Sequence, residues 1–290
     1  MRNCSVKSIG LVGLGLLGSA LAERLLSKGW SVSGFDVDAE RCAALADSGG
    51  VALPGLSDVA AFDLIVLSLP TSQVVADVVS SLRDELRAGQ TIVDTTTGSP
   101  ADVESVADVL ADLGIDYLDA TIGGSSQQAR DGDVIIMAGG PVAAFDRCRG
   151  LFDDLAKRTF HLGPAGSGSR MKLAVNLVLG LNRAVLAEGL GFAESLGLDQ
   201  ATTLEVLKAS PAASTVMVTK GEKMLTSDFA PQARLAQHLK DVQIILNTGQ
   251  MAGVNLPMST VHQTLLEELV ESGHGDLDNS AIIKAFCPAK

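Results

Sequence analysis

The chain has 290 residues, 47% of them apolar, which is enough for two modest cores, and a formal net charge of −12. With no cluster of Lys and Arg, that balance excludes nucleic acid and anionic membrane as partners, because both demand a positive surface. The four cysteines (Cys4, Cys42, Cys148, Cys287) stand far apart, and the four histidines (His161, His238, His262, His274) form no ligand set. Neither a disulfide framework nor a metal is expected. The opening residues MRNCSVKSIG hold no apolar signal core, which together with reduced thiols predicts a cytoplasmic protein.

Residues 8–13 read as a short buried strand, followed at once by Gly13-Leu-Gly15-Leu-Leu-Gly18 and a helix over 20–28 ended by Gly29. A bare GxGxxG is weak, but here it opens a strand–turn–helix unit. A second strand over 31–35 then ends at Asp36, an acid 18 residues after the last glycine, about where a dinucleotide site needs one. Gly13 makes the tight turn, Gly15 lets the backbone approach a pyrophosphate, and Gly18 lets helix pack on strand. The helix start, with Leu16 and Leu17, then holds the phosphates on its N–H groups and dipole. A carboxylate at Asp36 accepts ribose hydroxyls and repels a 2′-phosphate, and position 37 is Val. NAD is therefore expected over NADP, with Arg41 near enough to leave NADP open.

Strands over 63–69, 91–94, 116–119 and 134–137 alternate with helices over 72–87, 100–113 and 142–156. This alternation predicts a doubly wound, largely parallel sheet with its ligand at the strand C-terminal ends. Those ends carry Leu69-Pro70-Thr71, Asp94-Thr-Thr-Thr97 and Ala120-Thr-Ile-Gly-Gly-Ser125. Gly163, Pro164 and Gly166 then break the chain, and a helix follows to about Gly197 that is apolar over most of its surface and so must be buried in the protein or its oligomer. Lys172 and Asn176, four apart, share a face near its start. Burying an unpaired ammonium costs several kcal/mol, so this lysine either snorkels to solvent or has a chemical reason to be there. Asn176, Arg183, Glu188 and Glu194 interrupt the helix, which falls short of a membrane span. Beyond Gly197 the pattern is helical over 199–210, 232–253, 259–272 and 279–285. The expected fold class is α/β, a Rossmann-type dinucleotide-binding domain over 1–164 followed by an all-helical domain over 165–290. The apolar excess of the long helix points to a homodimer or homotetramer.

In these motifs the chain resembles the β-hydroxyacid dehydrogenase family, of which 3-hydroxyisobutyrate dehydrogenase is the best-known type. The cofactor motif spans Ile9 to Gly18. The family's substrate motif Asp-Ala-Pro-Val-Ser-Gly-Gly stands as Asp119-Ala-Thr-Ile-Gly-Gly-Ser125, with Gly132 and Gly139-Gly140 in register. Its catalytic motif Gly-x-Gly-x-x-x-Lys-x-x-x-Asn is matched by Gly166, Gly168, Lys172 and Asn176, and Phe229 with Lys240-Asp241 matches its late motif. The resemblance implies NAD(P)-dependent hydride transfer on a small 3-hydroxy (or 2-hydroxy) carboxylic acid or the matching semialdehyde. It makes Lys172 the general acid/base and Asn176 a substrate-orienting amide. It also puts Lys240 near cofactor and substrate, and Thr96 beside Leu69 and Pro70 at the nicotinamide ribose. The substrate loop is Thr121, Gly123, Gly124 and Ser125. Thr121 stands for the family's Pro, Gly123 for its Ser and Ser125 for its second Gly, so either Ser125 or Thr121 supplies the missing hydroxyl or the substrate differs. Three other readings are an imine reductase on this scaffold, which usually lacks the lysine, a decarboxylating 6-phosphogluconate dehydrogenase, which has a longer helical half and basic phosphate ligands, and a non-catalytic NAD sensor.

Overall fold

The computed structural model describes residues 7–287, so Cys4 and most of the N-terminal stretch read above lie outside the described residues. The chain divides into two compact units, Met1–Lys172 and Leu173–Lys290. The division falls inside the long helix rather than at the expected 164/165 junction, because the first turns of that helix are hydrogen-bonded to the sheet.

The first unit is one eight-stranded sheet in the order β3-β2-β1-β4-β5-β6-β7-β8. The strands are β1 Ser8–Val12, β2 Ser31–Phe35, β3 Val51–Ala52, β4 Leu64–Leu67, β5 Thr91–Asp94, β6 Asp116–Gly123, β7 Ile135–Gly139 and β8 Arg158–His161. All neighbours pair parallel except β6 with β7. Alternate residues of each central strand feed different cores. Leu11, Val66, Val93 and Leu118 join one cluster, and Val12, Ile65, Leu67, Ile92 and Tyr117 the other. A sheet covered on both faces needs strands that are apolar throughout, as these are.

Several elements differ from the sequence reading. Helices Ala39–Asp47 and Ser126–Asp131 and strands β3 and β8 are additional, and the helix expected over 142–156 is two, Val142–Arg147 and Arg149–Leu155. The larger correction concerns β6, which continues past Asp119 to Gly123 where a loop was expected. Ala120, Thr121 and Ile122 pair antiparallel with Ala138, Met137 and Ile136, and β-branched residues with a partner strand stay in the sheet.

The second unit is helical, with helices Gln200–Ala209, Thr215–Thr226, Leu235–Met251 and Pro257–Leu269 and a short 3₁₀ segment Asn279–Ala285, around the helix Ser167–Ser195 that enters from the first unit. The helix Thr215–Thr226 was not expected. The long helix is the only one among the described residues whose length and apolarity would suffice to cross a membrane. Its surface is three different stripes. Leu186, Ala187 and Leu190 sit in the unit's apolar core, while Asn176 and Arg183 are buried polar residues. Val178, Val185 and Phe192 are 56%, 57% and 65% exposed, so within the single chain this third stripe is uncovered and only an oligomer would bury it.

Candidate active site

Of the cofactor residues named from sequence, Gly13 to Gly18, Asp36, Leu69, Pro70 and Thr96 lie on one rim of the first unit, at the C-terminal ends of β1, β2, β4 and β5, whereas Lys240 lies in the second unit, on the helix Leu235–Met251. Gly13 turns with φ +92°, and a Cβ there would lie 2.3 Å from the Ser68 carbonyl oxygen. A Cβ on Gly18 would lie 1.9 Å from the Gly13 carbonyl oxygen, so the helix Leu16–Ser27 can rest on the turn only with glycine at that position. At Gly15 the same atom would meet nothing closer than the Arg41 Nη1 at 3.9 Å. Gly15 is also the N-cap and no side chain caps the helix, so the N–H groups of Leu16, Leu17 and Gly18 open the helix as an anion site. The Asp36 carboxylate accepts from the Leu14 N–H at 2.7 Å and the Asp38 N–H at 2.9 Å, with the Arg41 Nη1 at 3.4 Å. These residues fit a dinucleotide.

Along the rim, Thr96 Oγ1 accepts from the Leu69 N–H at 3.1 Å and ties the ends of β4 and β5 together beside the exposed Pro70. Asp94 holds that loop: Oδ1 accepts from the Thr96 N–H at 2.9 Å and Oδ2 from the Tyr117 hydroxyl at 2.6 Å. Burial pushes the Asp94 carboxyl up to about 6 against the lowering effect of the Thr96 and Tyr117 bonds. The phenol of Tyr117 is raised too, by its own burial and by Asp94.

The long helix starts against β6. Lys172 is 9% exposed, and its Nζ donates to the Ile122 carbonyl at 2.6 Å. Thr121, expected in the substrate set, is fully buried. Its hydroxyl lies 3.2 Å from the Gly168 carbonyl and 3.3 Å from that of Met137. It faces the helix because it is still in the strand, and its hydroxyl is committed there. Gly123 is half-buried, and a Cβ on it would meet Ile135 at 2.7 Å, which leaves no room for the family's serine. Gly124 is exposed, and the half-buried Ser125 caps the helix Ser126–Asp131, accepting from the Gln128 N–H at 3.2 Å. Ser125 is thus the hydroxyl that remains in this loop.

In the second unit the Asn176 Nδ2 donates to the Asp241 Oδ2 at 2.9 Å, and the Lys240 Nζ lies 3.1 Å from the Asp241 Oδ1. A carboxylate only accepts, so Asp241 fixes which way the Asn176 amide points. Further along the helix, burial holds the Arg183 guanidinium down to about 10, with Asp278 and Asp241 pulling it back up. Sequence reasoning passed over two carboxylates here. Asp119 stood in the substrate motif and Asp241 in the late motif, both without a role. Among the described residues no group of three or more His, Cys, Asp or Glu is placed to hold a metal.

Residues 8–163 match the family model described as the NAD binding domain of 6-phosphogluconate dehydrogenase, and residues 166–286 the one described as NAD-binding of NADP-dependent 3-hydroxyisobutyrate dehydrogenase. The 2-(hydroxymethyl)glutarate dehydrogenase of Eubacterium barkeri is 34% identical over 283 residues, covering 96% of this chain and 94% of that protein. The 2-hydroxy-3-oxopropionate reductase of Escherichia coli (strain K12) is 31% identical, covering 96% of each. The solved structure of a 3-hydroxyisobutyrate dehydrogenase from Salmonella typhimurium superposes with a TM-score of 0.88 at 26% identity, covering 96% of this chain and 99% of that one. A dinucleotide rim, a lysine and an asparagine on one helix, and relatives matched over nearly their whole length agree: the chain belongs to the β-hydroxyacid dehydrogenase family and is an NAD(P)-dependent oxidoreductase.

Proposed function

We propose that the chain interconverts a small 3-hydroxy (or 2-hydroxy) carboxylate and its semialdehyde, with Lys172 moving the proton. The observation that carries this reading is the buried Lys172 amine, donating to a backbone carbonyl at 2.6 Å on the helix that also bears Asn176. Bound NAD(P) supplies the hydride acceptor or donor, and the protein binds, orients and handles the proton. Gly13 to Gly18 would hold the pyrophosphate, Asp36 the adenosine ribose, and Leu69, Pro70 and Thr96 the nicotinamide side. Asp36 favours NAD, and Arg41 beside it leaves NADP acceptable. In oxidation the neutral Lys172 amine takes the hydroxyl proton; in reduction the ammonium returns it. Asn176, its amide fixed by Asp241, presents Oδ1 as an acceptor that orients either the hydroxyl or the lysine. By the family resemblance Lys240 would be a positive charge near cofactor and substrate, and Ser125, with Gly123 and Gly124, is the hydroxyl-bearing loop. The named relatives, a hydroxymethyl-substituted glutarate dehydrogenase and a hydroxy-oxopropionate reductase, support a carboxylate that carries a nearby hydroxyl or aldehyde. Lys172 weighs against the imine reductase and the sensor, which need no proton-transferring amine.

Absorbance of NADH and NADPH against 3-hydroxyisobutyrate, 3-hydroxypropionate, glycerate, 4-hydroxybutyrate, threonate and serine tests this. Turnover with at least one acid is expected, faster with NAD, and Lys172→Ala should lower it by roughly 10²–10⁴-fold, the range for general acid–base catalysis, with NADH affinity little changed. Near-normal turnover in Lys172→Ala would refute the assignment, and NADH binding without turnover on any acid would favour the sensor.

The exposed stripe of the long helix repeats every seven residues, at Met171, Val178, Val185 and Phe192. That period suits a helix pairing with another helix, and its occupant in this reading is a second copy of the chain in a cytoplasmic homodimer or homotetramer. Light scattering should give a dimer or larger for the wild type and a smaller species for Val185→Glu. A wild-type monomer would sink the idea. The charge of −12 argues against nucleic acid and membrane surfaces.

A further inference from the structure

We infer that strand β6 is the jig that sets the catalytic lysine, with Asp119 as its positioning residue and Thr121 as its second hold. The inference rests on the proton-transfer role of Lys172. Gly166 is the residue before the helix Ser167–Ser195 and has no side chain with which to cap it. Asp119 does so from across the sheet: its Oδ1 accepts from the Gly166 N–H at 3.0 Å and its Oδ2 from the Ser169 N–H at 2.7 Å. These are the two backbone donors that a capping box satisfies from within a helix, here both taken by one carboxylate 47 and 50 residues away. The approach is close enough that a Cβ on Gly168 would lie 2.3 Å from the Asp119 carbonyl oxygen and 2.9 Å from its Oδ2, which gives the second glycine of the catalytic motif a packing cause, while the first, Gly166, turns with φ +86°. Two residues on, the Thr121 hydroxyl donates to the Gly168 carbonyl, and the next carbonyl, that of Ile122, receives the Lys172 Nζ. One strand therefore fixes the start, the second residue and the reacting side chain of the same helix segment. Burial raises the Asp119 carboxyl, and the N–H groups of Ser169 and Gly166 oppose that rise by holding the ionised form.

The test is a kinetic cycle in the full-length enzyme. Asp119→Asn keeps the shape and one acceptor oxygen but turns an N–H toward the second donor. It should keep its fold by circular dichroism and bind NADH within about threefold of wild type, while kcat falls roughly 10–100-fold with a smaller change in KM. The decisive arm is the Lys172→Ala background, where Asp119→Asn should cost less than about twofold, because a residue that acts through the lysine has nothing left to position. Thr121→Val, isosteric and buried, should fall about 3–10-fold alone and also lose its effect in that background, and it decides the matter where Asp119→Asn does not fold. Equal losses with and without Lys172, or no loss in either variant of an enzyme that Lys172→Ala disables, would overturn the inference. Normal turnover in Lys172→Ala would instead overturn the role of the lysine itself.

Discussion

The two units bury carboxylates equally well but answer them differently. In the first unit Asp119 is met by two backbone N–H groups, and Asp94 by one N–H and a phenol. In the second, Asp278 has the Lys220 ammonium at 2.8 Å in addition to the N–H groups of Gln232, Ala233 and Ser280, and Asp241 has the Lys240 ammonium. The consequence shows in their protonation. Burial raises Asp94 and Asp119, whereas for Asp278 the same burial is outweighed by Lys220 and the N–H groups, and its carboxyl stays below the usual range. A carboxylate held by the backbone places a loop or a helix start, which is what a cofactor rim and a catalytic lysine require. A carboxylate held by a cation locks side chains and helices together.

If that distinction holds, its largest effect is on stability in the second unit. Asp278→Ala leaves the Lys220 ammonium buried, its side chain only 8% exposed, without its anion. Breaking one member of a buried pair costs about 3–5 kcal/mol, to be read from urea unfolding. Lys220→Met added to Asp278→Ala should recover part of that loss, since the uncompensated charge is then gone; the orphaned N–H groups of Gln232 and Ser280 keep the recovery partial. A loss below 1 kcal/mol in Asp278→Ala would show that the pair is no different from a surface salt bridge.

The parts of this architecture that could be read from sequence are those set by neighbours in the chain. The glycine turn with Asp36, the strand–helix alternation and the Lys172–Asn176 spacing are written in short stretches of chain, because the glycines follow one another at fixed offsets, Gly18 packs on the Gly13 carbonyl five residues back, and a helix face repeats every four. The misreadings share the opposite cause. Residues 120–125 look like a loop by their glycines, yet β7 arrives antiparallel to keep them in the sheet. That same pairing buries the Thr121 hydroxyl beside the Met137 and Gly168 carbonyls. Asp119 and Asp241 act on residues about 50 and 65 positions away, and no periodicity marks such a partner. The apolar excess of the long helix is legible in sequence, but which of its stripes stays uncovered in the chain, Val178, Val185 and Phe192, depends on which faces the other helices occupy.

The smaller effect to seek is the order in which acid opens the two units. Asp94, raised to about 6 from about 3.9 when unfolded, holds a proton in the native state between those values that the unfolded chain does not hold. Stability from this group therefore increases as pH falls through that window, by up to about 2–3 kcal/mol. Once protonated, Asp94 still has an oxygen to accept from Thr96. Asp278, lowered, works with the opposite sign: its contribution is complete above the unfolded carboxylate range and is lost as pH falls through its native value, when Lys220 is left facing a neutral acid. Hydrogen exchange followed from pH 6 down to pH 3 should accordingly release the amides of Gln232 and Ser280 before those of Thr96 and Ser169, after correction for the intrinsic rates. Exchange at Thr96 first would mean that the backbone-held carboxylates, and not the cation-held ones, are the acid-sensitive anchors.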